Sequence, residues 1–202
     1  MLKRTMLKRS ILIGNFLFFS LFCTAQSVSL VDFNQQRLQK QKTGMLVLGG
    51  WALANIAGGI ALSSSTNGRS KYFHQMNAGW NTVNLAIAGF GYYATIKTDP
   101  ASFDFYQSMH EQHKFQKILL FNAGLDVGYM LGGLYLMERS KNTANKPERL
   151  EGFGRSIILQ GAFLFVFDLV NYAIHAKQNS VIQDLLGSLQ FTGDQIGLVY
   201  IF

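Results

Sequence analysis

The chain has 202 residues, 49% of them hydrophobic and only 14% charged, with a mean hydropathy of +0.14. Soluble domains carry charge near ~25%, so the composition excludes a disordered chain and argues against an ordinary soluble one. The net charge of +7 is not a nucleic-acid signal, because Lys3, Arg4, Lys8 and Arg9 place four of the positive charges in the first nine residues and the remainder is scattered over loops.

Those four cations open a stretch that reads as a secretory signal peptide over residues 1–25. A basic region precedes the apolar run Ile11–Cys23, and Thr24-Ala25 precedes Gln26. The run is shorter than the ~20 residues that span a bilayer as helix. An uncleaved signal anchor is the alternative. Cleavage after Ala25 removes Cys23, the one cysteine of the chain. That leaves no disulfide, thiolate nucleophile or iron–sulfur site. Residues 26–43 are polar and end in Arg37, Lys40 and Lys42. They read as an interfacial helix held at the membrane surface by those cations.

Charge is then withheld in four windows. None falls between Lys42 and Arg69, nor between Lys71 and Lys97. Asp126 is the only charge from Ile118 to Met137, and Asp168 the only one from Ser156 to Ala176. Each window has the length needed to cross ~30 Å of hydrocarbon. Helices are therefore expected near Gly44–Ser64, Phe73–Tyr93, Phe115–Met137 and Arg155–His175. A soluble bundle would place charges on its exposed faces, and these windows offer none. The expected fold class is all-α: a four-transmembrane-helix bundle over residues 44–176. The stretch from Lys97 to Lys114 reads as a loop, and residues 177–202 as an extramembrane tail. The alternation in its last residues, Ile196, Leu198 and Tyr200 before Phe202, resembles a terminal barrel strand. The rest of the chain lacks repeated amphipathic strands, so the tail is read as a short strand at the membrane surface. With a cleaved signal, the loops after the first and third helices face the cytoplasm, where Arg69, Lys71, Arg139, Lys141, Lys146 and Arg149 are dense.

The first and third helices align at an offset of 74, placing Gly50, Ala54 and Gly58 over Gly124, Gly128 and Gly132. The second and fourth align at 87, placing Trp80–Ile87 over Phe167–Ile174. This implies a duplicated two-helix hairpin with parallel halves. Small residues four apart let helices approach closely in lipid. Gly50, Ala54, Gly58, Gly124, Gly128 and Gly132 are therefore the expected packing positions, either within the bundle or between two copies.

Polar residues also fall in stripes at helical spacing. The second helix carries His74, Asn77, Asn81 and Asn84; the fourth carries Gln160, Asp168, Asn171 and His175. The third adds Asn122 and Asp126, the first Trp51 and Asn55. Lipid cannot satisfy these groups, so the stripes should face the interior. A midplane aspartate costs about 2.5–3.5 kcal/mol on insertion scales and must be paired, protonated or beside water. Asp126, Asp168, Asn77, Asn81, Asn84, Asn122, Asn171 and His74 form the candidate intramembrane polar site. It reads either as interhelical glue or as the lining of a proton or solute path. His110 and His113 lack the spacing of a zinc-protease helix. No phosphate loop, dinucleotide fingerprint or nucleophile elbow occurs. No metal, cofactor, nucleic-acid partner or enzymatic activity is expected.

The segments TGMLVLGGWALANIAGG and YFHQMNAGWNTVNLAIAGFG resemble an uncharacterised Bacteroidota family of small four-helix integral membrane proteins. Trp51, Asn55, Tyr72, His74, Asn77, Trp80, Asn81 and Asn84 carry the resemblance, which spans Phe33 to Ala176. It implies location and architecture and no chemistry. The expectation is a multi-pass bacterial inner-membrane protein. It would act as a structural or interaction subunit of the envelope, with lipid and a second copy or another envelope protein as partners. The alternative is a small transporter or channel using the Asp/Asn seam.

Overall fold

A computed structural model describes residues 29–187, 189–192 and 195–198. The expected signal peptide lies outside the described residues. Four long helices follow in chain order: α1 (Leu30–Ser65), α2 (Gly68–Lys97), α3 (Phe105–Lys141) and α4 (Pro147–Ala176). A 3-10 turn, Pro100–Ser102, precedes α3, and a short helix α5 (Asn179–Gly187) follows α4.

Local chemistry sets the helix ends. Gly68, with φ of +58°, supplies the left-handed turn between α1 and α2. Asp104 and Gln107 form a capping box: Asp104 accepts from the Gln107 N–H at 2.7 Å and Gln107 accepts from the Asp104 N–H at 3.1 Å. This box starts α3 at Phe105, so much of the stretch expected as a loop is helical. Pro147, whose missing N–H is harmless in a first turn, opens α4. The expected boundary at residue 43 is also absent: α1 runs unbroken through it. The Gln-rich segment supplies its first turns, and Arg37 is buried within the bundle rather than lying at a surface.

α1 packs along α2, α3 packs along α4, and the two hairpins meet through α2 and α4. This helical unit runs from Leu30 to Ile182, further than the expected 44–176, because Gln178 and Ile182 are buried in it. Close approach depends on a few glycines. A Cβ on Gly59 would strike the His74 carbonyl and Ala78, and one on Gly133 the Gly154 carbonyl and Ile158. A Cβ on Gly152 would meet the Arg69 carbonyl and Tyr72 across the α2–α4 seam.

The polarity of the unit is inverted. Asn77, Asn81, Gln112, Ser156, Gln160 and His175 are buried, Asn81 to 0% exposure, while Phe90 is 77% and Leu131 60% exposed. Water-soluble folds bury their apolar side chains and hydrate their amides; here the amides pair inside and the apolar side chains face out. Three helices are long and apolar enough to cross a membrane: α1, α3 and the segment Pro147–Gln183 that continues α4. α2 is not among them; His74, Gln75, Asn77, Asn81 and Asn84 lower its hydropathy.

After this unit the described residues form an antiparallel hairpin, β1 (Leu189–Thr192) with β2 (Gln195–Leu198). Leu189 lies opposite Leu198 and Thr192 opposite Gln195.

Candidate functional site

Three polar layers cross the bundle. The first lies where α1, α2 and α4 approach. Ser156 donates to Asn77 Oδ1 at 2.5 Å, and Gln160 Nε2 donates to the same oxygen at 3.0 Å and to Asn55 Oδ1 at 3.2 Å. The Trp51 indole N–H donates to Gln160 Oε1 at 2.9 Å, and its ring stacks on Phe163 with centroids 3.8 Å apart. Asn81 donates to the Asn77 carbonyl and Asn84 to Asn81 Oδ1. None of the buried side-chain atoms of this layer lacks a partner. Such a network joins three helices by bonds that lipid cannot replace.

The second layer is different in kind. Asp126 of α3 and Asp168 of α4 are 3% and 5% exposed, and their carboxyl groups meet at hydrogen-bonding range. Neither has a cationic partner within 4.0 Å among the described residues. Asp126 Oδ2 is buried and finds no donor. The pair borders a cavity of about 170 Å³ together with Trp80, Asn84, Asn122 and Tyr129. That volume holds on the order of five waters. Trp80 and Tyr129 meet edge to face at 4.9 Å on its wall. Two carboxyl groups in contact, away from any cation, cannot both carry charge in a low-dielectric site. Such a pair, beside a cavity, has the chemistry to share a single proton.

The third layer lies at the end where α1 begins. Asn34 donates to Ser108 at 2.8 Å, Arg37 to Asn34 Oδ1 at 3.2 Å, and Gln116 to Asn179 Oδ1 at 2.8 Å. Gln112 donates to the His175 carbonyl at 2.7 Å. Arg37 also stacks over Phe103 at 4.9 Å.

The sequence-expected site residues therefore divide. Asn84, Asn122, Asp126 and Asp168 share one cavity. Asn77 and Asn81 belong to the hydrogen-bonded layer. Asn171 turns back to the Phe167 carbonyl and lies against Gly44. His74 is half-buried edge-on to Phe73, its carbonyl against Gly59. Within the bundle, the packing role expected of Gly50, Ala54, Gly58, Gly124, Gly128 and Gly132 falls to other glycines. Gly50, Gly58, Gly124, Gly128 and Gly132 have nothing within 4 Å of a built Cβ, and Ala54 is exposed. Spacing by four marks a smooth face without telling which way it points. Ser156, Gln112, Gln116 and Asn34 were missed by the sequence reading. For Gln112 and Gln116 the signal was the Ser108–Gln112–Gln116 spacing on one face of a helix already announced by its capping box. His110 and His113 are exposed on α3, and no group of three or more metal-binding side chains occurs among the described residues.

Fold and site together define a helical bundle with three helices long and apolar enough to cross a membrane and an inverted, polar interior. The chain belongs to a family of unknown function, DUF6992, whose match covers residues 47–169, from α1 into α4. No curated protein and no solved structure matches it.

Proposed function

We propose that this chain is a multi-pass protein of the bacterial inner membrane, with the spans Gly44–Ser64, Phe73–Tyr93, Phe115–Met137 and Arg155–His175. We propose further that it works as a small transporter or channel whose Asp126–Asp168 pair takes up and releases a proton. The observation that carries this reading is the meeting of two carboxyl groups from different helices, beside a cavity and away from any cation. α2, which is not among the three helices apolar enough to cross by composition alone, crosses with its amides turned toward α4. The two hairpins are related by duplication, with the axis between the parallel helices α2 and α4. Gly59 and Gly133, 74 residues apart, hold equivalent crossings. Their partners Ala78 and Ile158 lie 80 residues apart instead of the 87 of the sequence alignment. The second helices have therefore slipped by seven residues, about two turns.

The test is proton flux into liposomes containing the purified protein and a trapped pH dye, under an imposed potential. Wild type should acidify the lumen, and Asp126→Asn and Asp168→Asn should each reduce the rate to that of empty vesicles. Equal flux in all three would remove the proton role. The structural or interaction reading, favoured by the fully bonded Trp51–Gln160–Asn77 layer, would then stand, with a partner recovered by co-purification from membranes.

A further inference from the structure

A second, larger cavity has no part in the acid pair. It is a groove of about 360 Å³ between α1 and α4, two helices that touch little because the hairpins meet through α2. Val47, Phe163, Val166, Phe167 and Val170 line it, and Lys40 stands among the lining residues near the start of α1. Lys40 has no acidic partner within 4.0 Å among the described residues. Nearby basic residues lie over aromatic rings, Lys42 over Tyr92 and Lys97 over Tyr93. Tyrosines and lysines of this kind gather at the headgroup level of a bilayer. A volume of about 360 Å³ is of the order of a single hydrocarbon chain and far below that of a partner helix ~10 Å across.

We propose that this groove holds one acyl chain of an anionic phospholipid whose phosphate is bound by Lys40. The inference rests on the membrane reading and is independent of the proton role. An apolar slot closed at the headgroup level by an unpaired cation complements that ligand at both ends. A juxtamembrane lysine contributes about 1 kcal/mol toward anionic lipid, a roughly fivefold preference.

Trp51 reports on the site, because it stacks on Phe163 in the groove wall. The chain has two tryptophans, so Trp80→Phe leaves Trp51 as the only one. This variant is placed in phosphatidylcholine vesicles containing either brominated phosphatidylglycerol or brominated phosphatidylcholine. Brominated phosphatidylglycerol should quench Trp51 at a roughly fivefold lower mole fraction. Lys40→Gln should make the two lipids equal. Lys40→Arg should keep the preference, as should Lys42→Gln, whose ammonium lies over Tyr92. No preference in the parent, or a preference that survives Lys40→Gln, would overturn the proposal. Quenching by neither lipid would show that the chain does not sit in the bilayer, removing the membrane reading and the proposal with it.

Discussion

The first and second polar layers lie only two turns apart on α2, at Asn77 and Asn84, yet they are opposite in chemistry. Around Gln160 every buried donor has found an acceptor, from three helices. Around Asp126 and Asp168 two acceptors face each other and one oxygen has no donor. Both layers look alike as a stripe of polar residues in an apolar helix. The difference teaches that polarity in a membrane helix is not one signal. A satisfied network adds stability, whereas an unsatisfied acid pair lowers it and persists where it serves a function.

The largest effect on this comparison should come from the helix crossings that hold both layers in place. Gly133→Ala pushes a methyl group against the Gly154 carbonyl and the Ile158 amide. The expected loss is about 3 kcal/mol, read as a lower denaturation midpoint in detergent. Gly128→Ala, with open space around it, should stay within about 1 kcal/mol of wild type and lie on the stabilising side. Gln160→Ala removes three interhelical hydrogen bonds. At roughly 0.6 kcal/mol per bond, it should cost about 2 kcal/mol in the same measurement.

The smallest effect should come from the end of the bundle where α2 and α4 begin. Glu151 accepts from Arg69 at 2.7 Å and from Arg155 at 2.8 Å. Its carboxyl is held below its ordinary value, first by the Arg69 hydrogen bond. Such a group stabilises the fold above its unfolded value and loses that contribution as pH falls through the folded one. Glu151→Gln should therefore cost under about 1 kcal/mol at neutral pH. In a melting series it should flatten the part of the acid-side decline that wild type shows below the carboxylate range.

Much of this was legible in the chain. Withheld charge marked the helices, and the stripe spacing marked Asn77, Asn81, Asn84, Asp126 and Asp168. Three things were hidden. The interfacial segment is helical and continuous with α1, because its polar residues Asn34 and Arg37 find partners on α3 and in the loop before it. Composition shows polarity without showing who satisfies it. The glycine rows at 50–58 and 124–132 pointed outward, since spacing gives a face but not its direction. The meeting of the two hairpins through α2 and α4 was hidden too, because apolar helices of similar length do not show which pair will pack.

The division between the two layers is tested most directly by one pair of melting curves in detergent, Asp168→Asn beside Gln160→Ala. Asparagine can donate to Asp126 at any pH, whereas Asp168 can do so only while it carries a proton. The account therefore expects Asp168→Asn to melt at or above the wild-type temperature while Gln160→Ala melts below it. A fall for Asp168→Asn as large as that for Gln160→Ala would contradict it, and the acid pair would be structural glue like the layer beside it.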